Sequence, residues 1–144
     1  MRYELDFKNN FNDTLLFWLE RFIRNKLTTL SNRQVLQKEK LASIIQQLVK
    51  GTKSIEELAF IAKEARNIGL AGVNTYFNPL FKLYNFTLNL GLGSMKEIDE
   101  ELLSDFLASE TSSLSDASKK NHRIALLSFF SYIDKQNQNE DGSS

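Results

Sequence analysis

The chain has 144 residues with one His, six Gly, one Pro and no Cys, which excludes disulfide staples, zinc thiolate sites and a cysteine nucleophile and favours helices over strands joined by turns. Its 18 basic and 18 acidic residues cancel to a net charge of +0, so no chain-wide basic field argues for a polyanion partner. Hydrophobic residues at 42% and aromatics at 11% suffice for one core in a single domain.

Charge is segregated along the chain rather than mixed. Residues 31–70 carry seven bases and four acids, 115–136 four bases and two acids, and 96–114 one base and six acids. A basic face and a separate acidic face are both open. No apolar run approaches the ~20 residues of a membrane span. The start, "MRYELDFKNN", lacks the apolar segment of a signal peptide. A soluble cytoplasmic protein without a membrane partner is the default expectation.

Helical periodicity dominates, and the expected class is all-α: a single orthogonal bundle of about five to six helices. The first helix is expected over about Asp13 to Thr28, capped by Asn12 or Asp13 and burying Leu15, Leu16, Trp18, Leu19, Phe22, Ile23 and Leu27. The second runs from near Ser31 to about Lys50, with Val35, Leu41, Ile44, Ile45, Leu48 and Val49 inward. Gly51 ends it, because glycine reaches the left-handed conformation at little cost. "SIEE" at Ser54 reads as a capping box opening the third helix, whose stripe is Leu58, Ile61, Ala62 and Ala65. The fourth covers roughly Asn74 to Leu90. Either Asn78 caps a helix starting at Pro79, or an earlier turn precedes a local adjustment. The fifth, about Ile98 to Ala108, is acidic outside. The sixth spans Ser115 to about Gln136, and its Ile124, Leu127 and Phe130 are expected to anchor it in the core. The domain is expected to fill residues 1–136, with 137–144 as a polar linker or tail.

Enzyme chemistry finds little footing. A single His excludes a histidine metal cluster, and the polar setting of His122 predicts a solvent-exposed or capping role. Glu56–Glu57 and Glu100–Glu101 could be paired carboxylates for acid–base work. Acids at helix starts explain them equally, as favourable partners of the helix dipole. "GLAG" at 69–72 and "GLGS" at 91–94 lack the Lys and strand context of a phosphate loop. No catalytic site, metal or cofactor is expected.

Nucleic-acid binding has more support. Asp116, Lys119, Lys120 and Arg123 recur at three- and four-residue spacings that share a helical face, with Ser115, Ser118 and His122 alongside. A helix N-terminus offers free N–H groups to a phosphate, and hydroxyl, amide and basic side chains add hydrogen bonds and charge. A solvated helix end accounts for the same residues. A second cluster, "ARNIGLAGVNTYFNP", carries Arg66, Asn67, Asn74, Thr75, Tyr76 and Asn78 around a Gly-rich turn. Turn and cap chemistry is its alternative. A third group, Arg33, Lys38 and Lys40, reads as a solvated face.

"SMKEIDEELLSDFLASETSSLSDASKKNHRIALLSFFSYI" resembles the second half of the core-binding, SAM-like domain of Xer-type tyrosine recombinases and integrases. There an acidic helix and a loop precede Leu-Ser-x-x-Ser/Thr-x-x-x-x-hydrophobic-x-x-Leu-x-x-Phe-Phe-x-Tyr. Leu114, Ser115, Ser118, Leu127, Phe129, Phe130 and Tyr132 carry the match. "VNTYFNPLFKLYNFTLNLGL" is similar to the helix that family opens with Asn-Thr. The helical material at about 31–68 is longer than usual for such a domain.

The resemblance implies a domain that clamps duplex DNA at a dif-like recombination site and contacts other protomers in a tetrameric synapse, in chromosome dimer resolution. Through the full-length protein it further implies a septal DNA translocase as partner. The family's Arg/Lys/His/Arg set and Tyr nucleophile, which act without metal or nucleotide, are expected in a separate catalytic domain, making this chain an N-terminal part that binds without cutting. Carried over, Asn74, Thr75, Tyr76, Ser115, Ser118, Lys119, Lys120, Asn121 and Arg123 become the DNA contacts, with Arg33, Lys38 and Arg66 as additional ones. Asn74 and Asn121 are the candidates for base edges. The helix at Glu97–Glu101 is expected to face away from DNA, and it or the aromatic first helix to meet a neighbouring protomer. The alternative is a helical protein–protein interaction module without DNA binding.

Overall fold

The computed structural model describes residues 10–30, 38–51 and 54–137. Within them lie six α-helices and one 3₁₀ turn, and no strand: α1 Phe11–Leu30, α2 Lys38–Lys50, α3 Ile55–Asn67, α4 Ala71–Leu88, the 3₁₀ turn Met95–Glu97, α5 Glu100–Thr111 and α6 Asp116–Asn137. None of these helices is long and apolar enough to cross a membrane. The expected helical start at Ser31, the inward Val35 and the tail 138–144 lie outside the described residues.

α1 starts earlier than its apolar stripe suggests, because Asn10 caps it. The Asn10 side-chain oxygen accepts from the Asp13 amide at 2.8 Å, and the Asp13 carboxylate accepts from the Asn10 side-chain amide at 2.9 Å. This reciprocal pair makes Asp13 the third helical residue rather than the cap. The Asn10 carbonyl also accepts from the Thr14 hydroxyl at 2.9 Å.

Gly51 ends α2 at φ +93°, donating to the Leu48 carbonyl at 3.2 Å. Val49, expected inward, is 62% exposed; the inward stripe passes through Ile44 and Leu48, and Val49 falls one step beyond it. Ser54 caps α3 by accepting from the Glu57 amide at 3.2 Å. The far end of α3 is a Schellman motif: Gly69, at φ +102°, donates to the Arg66 carbonyl at 3.1 Å, and Leu70 to the Ala65 carbonyl at 2.9 Å. Buried Leu70 then leads directly into α4.

Pro79 lies inside α4, so Asn78 is not a cap. An internal proline costs about 3 kcal/mol or more. Here the helix continues because Val73, Phe77, Leu80 and Leu83 are all buried on a helix that packs against α1, α3, α5 and α6. Ring contacts tie this centre together. Phe22 of α1 meets Tyr76 of α4 at 6.0 Å, and Phe129 and Tyr132 of α6 at 5.4 and 5.8 Å. Each contact is edge-to-face, the preferred arrangement of aromatic pairs. Phe86 and Phe106, 5.4 Å apart, join α4 to α5. The aromatic residues of α1 are therefore core: Phe11, Trp18 and Phe22 are buried and Phe17 is half-buried.

Candidate nucleic-acid interface

The polar first half of α6 is built by its own side chains. Ser115 accepts from the Ser118 amide at 3.2 Å, and its carbonyl accepts from the Lys119 amide at 2.9 Å. This cap occupies the position at which Ser is strongly preferred. His122, expected to be exposed or capping, is only 7% exposed. Its Nδ1 lies 2.8 Å from the Ser118 carbonyl, and its Nε2 lies 3.2 Å from Lys82 Nζ on α4. A carbonyl only accepts, so Nδ1 carries the proton and the Nε2 lone pair receives a Lys82 N–H. The imidazole is thus the joint between α4 and α6. Nothing near His122 in the sequence signals this, because its partner is 40 residues away. His122→Leu removes that acceptor, and the expected result is an unchanged helical signal with Lys82 free to leave α6. NMR at one fixed pH would read the change as a shifted Lys82 side-chain resonance relative to the parent.

The register of α6 also differs from expectation. His122, Ala125, Leu126, Phe129 and Ile133 are buried, whereas Ile124 and Leu127 are 42% and 65% exposed and Phe130 is half-buried. Two apolar stripes overlap in this helix, and packing on α4 selects the one that contains the small Ala125 and the His122 joint. The outward face then carries Lys120, Arg123, Ile124 and Leu127 in steps of three and four. Lys120, Asn121, Arg123 and Ser115 are exposed, while Ser118 and Lys119 are half-buried.

On α4, Asn74 and Tyr76 are half-buried and Thr75 is exposed. These residues are in the first two turns of a helix that begins at Ala71, not at its start. Tyr76 turns towards α1, where Lys26 Nζ lies 4.5 Å over its ring and 5.4 Å over Phe22. Burial pushes the Lys26 ammonium below the usual lysine range. Thr75, Asn78, Lys82 and Asn85 follow one another at helical steps, all exposed or half-buried, and α4 contains no acidic residue. Lys82 and Asn85 extend this stripe beyond the residues expected from the sequence, although their three- and four-residue spacing is a signal that could have found them.

Lys82 faces His122, and Phe22 touches both Tyr76 and Tyr132, so α4 and α6 run antiparallel. At 1.5 Å per residue, Thr75 and Ser115 lie about 20 Å apart along this pair. That is the length of about six base pairs of duplex. The two clusters read from the sequence therefore lie at opposite ends of one helix pair. Arg66 is exposed in the last turn of α3. Arg33 and the side chain of Lys38 lie outside the described residues.

The acids before α5 act as caps, Glu97 closing a capping box with Ser94 on the 3₁₀ turn and Asp99 capping α5. Glu97 accepts from the Ser94 amide at 2.9 Å and from the Gly93 amide, and Asp99 accepts from the Leu102 amide at 2.9 Å. Among the described residues no group of three or more His, Cys, Asp or Glu could hold a metal ion.

The profile of the phage integrase SAM-like domain matches residues 6–137. The chain belongs to that family. This SAM-like integrase domain is 50% identical over 141 residues to the tyrosine recombinase XerH of Campylobacter jejuni, covering 98% of the chain and 40% of that protein. It is 43% identical over 151 residues to XerH of Helicobacter pylori, covering 100% of the chain and 41% of that protein. Two solved structures are similar over 100% of the chain. XerH bound to a palindromic difH substrate, a post-cleavage complex, matches at TM-score 0.89 and 44% identity over 40% of its own length. The pre-cleavage XerH–difH complex matches at TM-score 0.88 and 43% identity over 43% of its length. The SAM-like integrase domain thus spans about two fifths of the recombinases it resembles.

Proposed function

We propose that this chain is the DNA-binding, core-binding domain of a site-specific tyrosine recombinase acting at a dif-like site in chromosome dimer resolution. The observation that carries the reading is its likeness, over the full chain, to XerH held on difH DNA. The acid-free α4 and the capped start of α6, where Lys119, Lys120 and Arg123 outnumber the one acid Asp116, support it, because cations that neutralise phosphates drive binding to a polyanion. The basic residues fix the duplex through phosphates, and Asn74 and Asn121 reach towards base edges. Strand cleavage belongs to a catalytic domain outside this chain. Protomer contacts use exposed apolar side chains, of which Phe60, Val49 and Leu127 are 60%, 62% and 65% exposed. Those same side chains favour a second reading, a protein-binding module that does not touch DNA.

Titration of the chain on duplex DNA at several salt concentrations separates the two. The expected result is binding without cleavage, with log affinity falling linearly in log salt at a slope near −0.9 per neutralised phosphate. No association with duplex at low salt would overturn the DNA-binding reading.

A further inference from the structure

Between α1 and the C-terminal half of α6 lies a groove of ≈ 270 Å³, and Asn25, Lys26, Ser128, Ser131, Lys135 and Gln136 contribute its polar lining. No carboxylate lines it. The lining thus holds two lysines, two serines, the Tyr132 phenol and two amide side chains, with no acid among them. Such a set offers hydrogen-bond donors on both walls and a charge that favours an anion. Phe22 and Tyr132 form the apolar part of the lining. The groove lies just below the ~300–1,000 Å³ of sites that enclose an organic ligand, and it has room for a phosphate group.

Lys26 is held in place for this role. Its ammonium lies 4.5 Å over the Tyr76 ring, and a cation over an aromatic face is attracted to it. The same contact joins the groove to the α4 patch, since Tyr76 follows Asn74 and Thr75. Lys135 and Ser131 are exposed, and Lys26 and Ser128 half-buried, so the groove opens to solvent from the α6 side.

We propose that this groove binds one phosphodiester of the DNA backbone, with Lys26 and Lys135 supplying charge and Ser128 and Ser131 hydrogen bonds. The proposal rests on the DNA-binding reading above and adds a contact to it that lies on α1 and the end of α6. The test compares the parent chain with Lys135→Gln and with the pair Lys26→Gln/Lys135→Gln on duplex DNA across salt concentrations. Lys96→Gln, an exposed lysine beside α5, serves as the control for generic charge loss. The pair is expected to lower the salt slope by about 0.9, Lys135→Gln to lower it in the same direction, and Lys96→Gln to leave it unchanged. Because Lys26→Gln also removes a ring contact, Lys135→Gln alone decides the outcome if the pair unfolds.

If the parent binds duplex with a steep slope and both groove variants keep that slope, the inference fails while the DNA-binding reading stands. If the parent binds no duplex, both fall together. Titration with inorganic phosphate, followed through the amide resonances of Ser128 and Ser131, distinguishes the source of the anion. Shifts at those two residues with an unchanged duplex slope would assign the groove to free phosphate and overturn the phosphodiester.

Discussion

Phe22→Ala is expected to destabilise the chain by about 3–5 kcal/mol, the usual range for emptying a buried phenylalanine site. Phe22 is 1% exposed and touches Tyr76, Phe129 and Tyr132 on two other helices. Removing it opens a cavity where α1, α4 and α6 meet. It also takes away one of the two rings beneath the Lys26 ammonium. Urea denaturation is the measurement. The midpoint should fall with the slope of the transition unchanged, as expected when native stability alone has moved. A loss below about 1 kcal/mol would mean that neighbouring rings collapse into the space, and that Phe22 is not the hub its contacts describe.

The second large effect concerns binding rather than stability. Lys119→Glu together with Arg123→Glu is expected to abolish duplex binding under conditions where the parent binds. Each substitution removes a cation and places a carboxylate beside the phosphates, so the salt slope loses about two units before repulsion is counted. Arg123 is exposed and Lys119 half-buried, and neither belongs to the apolar core. The helical signal and the cooperative unfolding transition are therefore expected to match the parent. Duplex binding that survives this pair would remove the first half of α6 from the interface and leave α4 and the α1/α6 groove to account for it.

Much of the architecture is legible because helix periodicity is a strong local signal. The stripe of α1, from Leu15 to Leu27, is buried as its spacing predicts, and Gly51 and Ser54 end and begin helices for the conformational and capping reasons visible in their residue types. Most of the departures have a common cause. Pro79, His122 and the register of α6 are each settled by a partner that local sequence does not contain, whereas the Asn10 cap rests on the nearby Asp13. Asn10 outcompetes two later cap candidates through its exchange with Asp13. Pro79 is tolerated because four neighbouring helices hold α4. In α6, Ile124 and Leu127 are as hydrophobic as the residues that are buried, and the surfaces of α4, α5 and α1 decide between the two stripes. For the interface, residue chemistry is readable and its layout is not. The start of α4 and the start of α6 are two polar clusters in the sequence, and only the antiparallel pairing sets them about 20 Å apart at opposite ends of one helix pair.

The joint from Ser115 through Ser118 and His122 to Lys82 has a thermodynamic consequence. It holds two helical turns that bury little apolar surface, in a segment whose residues would otherwise each gain about 1–2 kcal/mol of backbone entropy by unravelling. A partner docking on that segment meets a surface already in its final shape, so association carries no ordering penalty there and little of the negative heat-capacity change that marks coupled folding. On the proposed DNA-binding reading, any adjustment of shape at that segment falls to the duplex, beside whatever Asn74 and Asn121 read from base edges.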